Sequence, residues 1–340
     1  MKILLLNVDA NWNVALRRMM TYYLAQGHEV EMRDLKMPGF PHKKVVKVDA
    51  TGFDLVCVSN LFERNAYCVK VENCDRVEYG GIGSRDPHKR LPEEIEATAP
   101  YYYPDERTSY GFITRGCIRN CWFCKVPKFE GKLKEYNSVE SIVRGVPGER
   151  VKFLDNNILA YPHHCDVFRW LIEHNVRCEF NQGLDFRLVN DENLALLAQL
   201  NYMGNYIFAF DDPKYEKLLE KKVQLIKQYI PKPWALKFYI YHHPDMDLSE
   251  AIRRVEWCRS HEALPYFMRD QACWESEDKD FLTDYAAYCN QPGFFKNMDF
   301  RLFLEKRHKN KQRIESSWVK YITAATRCPN QQEEDDAWMT

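Results

Sequence analysis

The chain has 340 residues, 45% of them apolar and twelve of them cysteine, with a formal net charge of −1. The length allows one large domain or two moderate ones, and the charge balance gives no molecule-wide electrostatic case for nucleic acid or membrane. No apolar run approaches a transmembrane helix in length, and twelve cysteines without a secretory signal point to a reducing cytoplasm, with metal ligation favoured over a disulfide framework.

Lys2–Val8 is an apolar run that reads as a buried strand rather than a signal peptide. Val14–Gln26 carries a helical apolar stripe stopped by Gly27, and Glu29–Leu35 and Asp54–Ser59 read as further strands, so residues 1–100 are expected to form a Rossmann-like parallel sheet. Glycines then punctuate Tyr79-Gly80-Gly81-Ile82-Gly83-Ser84, ahead of Leu91-Pro92-Glu93-Glu94; this is not the G-x-G-x-x-G dinucleotide fingerprint. Cys57, Cys68 and Cys74 are a candidate ligand set for an auxiliary cluster, although Cys57 in Leu55-Val56-Cys57-Val58 reads more simply as core. Residues 101–108, with Tyr101-Tyr102-Tyr103-Pro104, read as a linker that crosses between units. Its rings would either cover a flat substrate or pin the linker in place.

From residue 109 to 295 short apolar runs alternate with helical patterns. The strands are expected at Tyr110–Arg115, Val151–Leu154, Arg177–Phe180, Tyr206–Phe210, Leu236–Tyr241 and Leu264–Met268. The helices are expected at Ser138–Val146, His164–Asn175, Asp191–Leu200, Tyr215–Tyr229, Leu248–His261 and Lys279–Asn290. Six strand–helix units imply a parallel sheet with right-handed crossovers. Residues 296–340 read as a helical extension with a basic run, Lys306, Arg307, Lys309, Lys311 and Arg313, flanked by Arg301, Lys320 and Arg327 and by Trp318 and Tyr321. It would either meet nucleic-acid phosphates or, as the favoured reading, form a solvated helix face balanced by Glu333, Glu334, Asp335 and Asp336.

The chemistry is concentrated in Gly116-Cys117-Ile118-Arg119-Asn120-Cys121-Trp122-Phe123-Cys124, a C-x3-C-x2-C loop. Three thiolates on one short loop hold three corners of an iron–sulfur cubane and leave the fourth iron for an exogenous ligand. A closed zinc site needs four ligands, usually as two C-x(2–4)-C pairs. His163, His164 or Cys165 would have to supply the fourth, and the chain would then be a zinc-binding protein that interacts with nucleic acid through its basic end.

With Tyr110-Gly111-Phe112-Ile113-Thr114-Arg115-Gly116 leading into Cys117 and Phe123 just before the third cysteine, the larger, C-terminal part of the chain resembles the radical SAM superfamily. The resemblance implies a partial (β/α)6 TIM-type barrel, a [4Fe–4S] cluster on Cys117, Cys121 and Cys124, and S-adenosylmethionine chelated by the open iron. It further implies reductive cleavage to a 5′-deoxyadenosyl radical that takes hydrogen from a substrate, a one-electron donor such as flavodoxin or ferredoxin, and sensitivity to oxygen. Active residues in such barrels stand at the C-terminal strand ends. The implied cofactor contacts are therefore Phe123, then Asp155 and Asn156, where family members carry a Gly-Gly-Glu-like or Asp-Asp-like segment from which this chain departs. They continue with Gln182 and Arg187, at the place that holds the ribose or the methionine carboxylate, and with Asp211, Tyr239 and Met268 on the later strands.

Other readings remain open at several of these positions. The alternative for Asp185–Arg187, less favoured, is a surface ion pair, and Asp211-Asp212-Pro213 is equally a helix cap. Of His242 and His243, adjacent on a strand, at most one faces the barrel. Tyr266 or Cys273 would be placed to return a hydrogen atom to a radical, or else belong to a polar rim and a buried thiol. The order of the two halves is similar to the cobalamin-binding radical SAM class, but Asp9-Ala10-Asn11-Trp12 stands where that class has the Asp-x-His-x-x-Gly loop with its lower cobalt ligand. Simple hydrogen abstraction therefore leads over cobalamin-dependent methyl transfer and over modification of a nucleic acid such as tRNA.

Overall fold

The computed structural model describes residues 1–37 and 45–327. Glu333, Glu334, Asp335 and Asp336 lie outside the described residues. The chain is mixed α/β with parallel sheets and a C-terminal helical region. It divides into two units. One comprises Met1–Gly111, Arg119–Lys132 and Val146–Gly148; the other comprises Phe112–Ile118, Leu133–Gly145 and the described residues from Glu149 onward. Among the described residues no helix is long and apolar enough to cross a membrane.

The first unit contains β1 (Lys2–Val8), α1 (Val14–Ala25), β2 (Glu29–Leu35), β3 (Val46–Asp49), β4 (Leu55–Asn60), β5 (Val69–Glu72), β6 (Val77–Gly80), α2 (Glu93–Glu96), β7 (Thr108–Gly111) and α3 (Val126–Phe129). Strands β2, β1, β4 and β6 lie side by side in that order and all run parallel, while β3 and β5 form a separate parallel pair. Alternate residues of the central strands feed opposite core layers. Leu4, Leu6, Val8, Val56 and Val58 pack on one side, and Ile3, Leu5, Leu55 and Cys57 pack with Leu16 and Met20 of α1 on the other. Each buried aliphatic side chain contributes about 1.5–3 kcal/mol. Helix α1 starts where the Asn13 side chain accepts from Leu16 N at 3.1 Å, and it ends just before Gly27 at φ +77°.

The segment after α2 packs instead of crossing. The Tyr102 hydroxyl accepts from Tyr110 N at 3.0 Å and donates to Tyr110 O at 3.2 Å, Trp12 stacks on Tyr110 at 4.5 Å, and Arg17 Nη1 meets Glu106 Oε2 at 2.5 Å. The unit therefore runs to Gly111. It also takes in residues 119–132, where Lys125 pairs with Glu63 at 2.6 Å, His88 packs on Phe129 at 5.4 Å and Arg90 donates to Phe129 O.

The second unit contains β8 (Thr114–Arg115), β9 (Lys134–Glu135), β10 (Arg150–Phe153), α4 (His164–Glu173), β11 (Cys178–Phe180), α5 (Asp191–Gln199), β12 (Tyr206–Ala209), α6 (Glu216–Tyr229), β13 (Leu236–His242), α7 (Leu248–Ser260), β14 (Leu264–Arg269), α8 (Lys279–Cys289), α9 (Pro292–Asn297), α10 (Phe300–Arg307) and α11 (Lys311–Thr326). Strands β10 and β11 pair in parallel, as do β12, β13 and β14, and single parallel bridges at Cys178–Tyr202 and Leu184–Phe208 link the two sets. One side of this sheet is sealed: Val151, Phe153, Phe180, Phe208, Leu236, Phe238 and Phe267 are buried in the main hydrophobic core. The residues between them are only partly buried.

Two expectations for this unit need correction. The strand expected at Tyr110–Arg115 is broken at Phe112 and Ile113, leaving β7 and β8. The helix expected at Ser138–Val146 is absent; the segment makes one turn through Val139 and Ile142 and stops. Gly145 adopts φ +69°, and the Glu149 carboxylate takes Arg144 N at 3.0 Å and Gly145 N at 2.7 Å, so the backbone donors that a helix would use are bonded elsewhere. Strands β3, β5 and β6 are additions to the expected elements.

Candidate functional site: the cysteine loop and the strand ends

The loop that bears the three cysteines is fixed at its base. The antiparallel pairs Thr114–Glu135 and Arg115–Lys134 bring the chain back beside the point it left. Behind them stands Asp155, at the C-terminal end of β10 and 0% exposed. Its carboxylate accepts from Ile113 N at 3.2 Å, from Thr114 N at 2.5 Å and from Thr114 Oγ1 at 2.8 Å. Burial pushes its pKa up to about 6, against the opposing pull of those hydrogen bonds. Expected as a cofactor contact, Asp155 has its carboxylate committed to the two residues that lead into Gly116 and Cys117. Its neighbour Asn156 reaches Gly116 O through Nδ2 at 3.5 Å.

Cys117 belongs to the second unit, and Cys121 and Cys124 to the first. All three are half-buried and none forms a disulfide. A turn closes Cys124 N on Cys121 O at 3.0 Å. Phe123 is half-buried and edge-on to Trp122 at 5.6 Å, while Trp122 itself is 69% exposed. In donor type and in spacing along the chain the set is the one an iron–sulfur cluster takes. Among the described residues, however, no three His, Cys, Asp or Glu side chains stand close enough together to hold a metal ion, so the assignment rests on donor type and spacing. The three candidates for a fourth zinc ligand have other partners. His164 contacts Tyr161 O through Nδ1 at 2.6 Å, His163 lies 3.5 Å from Asp166, and burial and Glu192 raise the pKa of Cys165.

The later strand ends carry a second group of candidates. Asp185 caps the turn after β11 by accepting from Arg187 N at 3.1 Å, and it holds the Arg187 guanidinium at 2.6 Å and 3.0 Å. The pair is partly buried rather than at the surface, with Arg187 also lying over the Tyr215 ring at 4.8 Å. Gln182 is exposed. In Asp211-Asp212-Pro213 the two carboxylates separate by role. Asp212 accepts from Lys214 N as a cap, while Asp211 accepts from Tyr241 N at 2.8 Å and is pushed up to about 6, by burial first, with Arg254 pulling the other way.

Tyr239 donates to Asn181 O at 3.1 Å, and Met268 is half-buried on the adjacent strand. Only one of the two histidines is open: His243 is part-exposed, whereas His242 is 2% exposed and held down to about 4 by burial, Arg254 and His243. Cys273 is buried against His242 O at 3.4 Å, and Tyr266 is partly exposed.

In the first unit Cys57, Cys68 and Cys74 serve different places. Cys57 is core, Cys68 donates to Arg64 O and Cys74 to Arg76 O. After β1, where a cobalt-binding histidine would be looked for, Asp9 takes Met37 N at 2.7 Å and Asn65 Nδ2 at 3.0 Å. Sequence reasoning overlooked Lys237, a half-buried lysine beside Tyr239; the alternation Leu236-Lys237-Phe238-Tyr239 was the available signal. No family model matches the chain, and no curated protein is significantly similar to it.

Proposed function

We propose that the chain is a cytoplasmic radical SAM enzyme, with a Rossmann-like N-terminal domain ahead of a partial (β/α)6 barrel. The observation that carries this reading is the C-x3-C-x2-C spacing, on a loop whose entry is clamped by a buried carboxylate at the end of β10. Cys117, Cys121 and Cys124 would hold the cluster. When bound, it supplies one electron, delivered by a flavodoxin- or ferredoxin-type donor, for cleavage of S-adenosylmethionine to a radical that abstracts hydrogen from the substrate.

The chain's own residues do the positioning. Asp155 fixes Thr114 at the loop entry, and this is the role we assign it in place of direct cofactor contact; Asn156 stands beside Gly116 and keeps its assignment as a cofactor contact. Arg187 is pre-oriented by Asp185, so its planar guanidinium presents donors without further loss of side-chain freedom. Asp211 and Arg254 set opposite charges at the ends of β12 and β13, where burial keeps water from screening them.

The test is anaerobic reconstitution with iron and sulfide, then reduction and addition of S-adenosylmethionine. Release of 5′-deoxyadenosine is expected, and it should be lost on replacing any one of Cys117, Cys121 and Cys124 by Ala. An intact cluster that yields neither 5′-deoxyadenosine nor S-adenosylhomocysteine overturns the proposal, as does tight zinc binding without visible cluster absorption. A copurifying corrinoid spectrum together with S-adenosylhomocysteine would put cobalamin-dependent methyl transfer in its place.

A further inference from the structure

Parallel strands covered on both faces are buried along their whole length, as β4 is in the first unit. The strands of the second unit alternate instead: β10 and β11 are buried at every second residue, and so is β13 up to Ile240. Their sealed face is apolar and lies in the core. The open face carries Lys152, Glu179, Lys237, Tyr239, Tyr266 and Met268. Charges on a half-buried sheet face cost desolvation energy that an apolar residue would avoid, so their presence calls for a compensating partner.

The charges do not cancel within the protein. Lys152 Nζ pairs with Glu179 Oε1 at 2.6 Å. Lys237 feels the field of the same carboxylate, but among the described residues its ammonium makes no hydrogen bond or ion pair, and its register neighbours are Ile207 and Leu264. Burial lowers the Lys237 pKa while Glu179 raises it. Two ammonium groups against one carboxylate leave one positive charge over. Next to it, Tyr239 and Tyr266 meet at 5.5 Å with their planes at 61°, and Tyr266 is 41% exposed.

We propose that this open face binds a small monoanionic carboxylate with an aromatic body, its carboxylate on Lys237 Nζ and its ring against Tyr239, Tyr266 and Met268. One negative charge neutralises the face. A phosphate dianion would leave an excess of negative charge, because Lys152 is already held by Glu179. Two tyrosines crossing at an angle offer a ring both a face and an edge, and Met268 adapts to its outline.

Calorimetric titration of the full chain, without cluster, tests this with 4-hydroxyphenylacetate, indole-3-acetate and benzoate against their uncharged amides. Saturable binding of at least one carboxylate is expected at a dissociation constant of about 1 mM or tighter, with the matching amide at least about tenfold weaker. Lys237→Met should cost about tenfold or more, and Lys237→Arg should restore most of it. Glu179→Gln should tighten binding, an effect opposite in sign to that of general damage to the fold.

The proposal fails if no carboxylate binds, if the amides bind equally well, or if Lys237→Met and wild type bind alike. Should Lys237→Met not fold, unchanged or weaker binding by Glu179→Gln overturns it. Because the readout needs no cluster, loss of the radical reading leaves this binding site standing.

Discussion

Arg313 Nε donates to Asp284 Oδ2 at 2.9 Å, and this carboxylate on α8, 1% exposed, is where α10 and α11 are tied down. Arg307 Nε reaches it at 3.0 Å, His308 Nε2 at 2.9 Å and Ser317 Oγ at 3.4 Å. The run that looked like a solvated basic face is therefore partly an internal latch. Arg301 is held by Glu305 and Glu315, and Lys320 by Asp278, which leaves Lys306, Lys309, Lys311 and Arg327 as the exposed cations without an ion pair among the described residues.

Asp284→Ala removes the common acceptor of two arginines and a histidine. Because the two guanidinium groups keep some access to water, the loss should fall near the lower end of that for a broken buried pair, about 3 kcal/mol. Urea unfolding followed by circular dichroism should show a lower midpoint, and an unchanged midpoint would remove the latch. Glu315→Ala, which breaks an exposed and solvent-screened pair, should leave the midpoint close to that of wild type in the same measurement.

Asp155→Ala strands the backbone donors of Ile113 and Thr114 in a site with no access to water. Each unsatisfied donor costs about 1–3 kcal/mol, so a loss of about 3 kcal/mol is expected, together with less iron retained per chain after reconstitution. Asp155→Asn keeps the volume but sets an amide NH2 against one of the N–H groups, and should fall in between. If both variants unfold at the wild-type denaturant concentration, the clamp is not what holds the loop entry.

The physical reach of each interaction decides what could be read from sequence. Lys2–Val8 was legible to the residue because a central strand of a parallel sheet declares itself in its own apolar composition, whereas Glu29–Leu35, an edge strand with four charged residues in seven, was marked by the Gly27 stop before it and the alternation Glu29-Val30-Glu31-Met32. Val46–Asp49 and Val69–Glu72 were not, since four residues alternating with Lys, Asp and Glu resemble a charged loop until they pair with each other. Ser138–Val146 has a helical pattern, yet Gly145 and the side chain of Glu149 end it after one turn. At the site, the cysteine spacing is local and therefore visible. The role of Asp155 depends on Thr114, 41 positions away, and that of Asp284 on Arg313, 29 positions away; no periodicity encodes such partners.

Gly81 and Gly52 separate steric cost from backbone strain. Both have positive φ, +91° and +83°, but a Cβ at Gly81 would lie 2.3 Å from Asn60 O, whereas at Gly52 it would meet nothing within 4 Å. Gly52→Ala should cost the left-handed conformation alone, about 1–2 kcal/mol. Gly81→Ala must also push β6 away from β4, and a loss above about 3 kcal/mol is expected. Equal losses, measured by thermal unfolding, would mean that the close approach of β6 to Asn60 carries no constraint.

The pH dependence of stability should expose His242. An unfolded histidine takes its proton near 6.5, whereas His242 in the fold takes one only near 4. Between those values the unfolded state binds more protons, so acidification through this window destabilises the fold. Asp155 and Asp211 act in the opposite sense. Their folded pKa values near 6 lie above the ordinary 3.8, so the folded state binds more protons there and acidification through about 6 stabilises it. From about pH 7 to about pH 5 the histidine removes roughly 2 kcal/mol and the two carboxyls together return a similar amount. Wild type should accordingly show a shallow profile over this range. His242→Phe keeps a ring against Phe267, where the histidine now stacks at 5.8 Å, and deletes only the destabilising proton. Its Tm relative to wild type should be higher at pH 5 than at pH 7, whatever its absolute value. A difference in Tm that does not change with pH would place the His242 titration outside this window and remove Arg254 and burial as its cause.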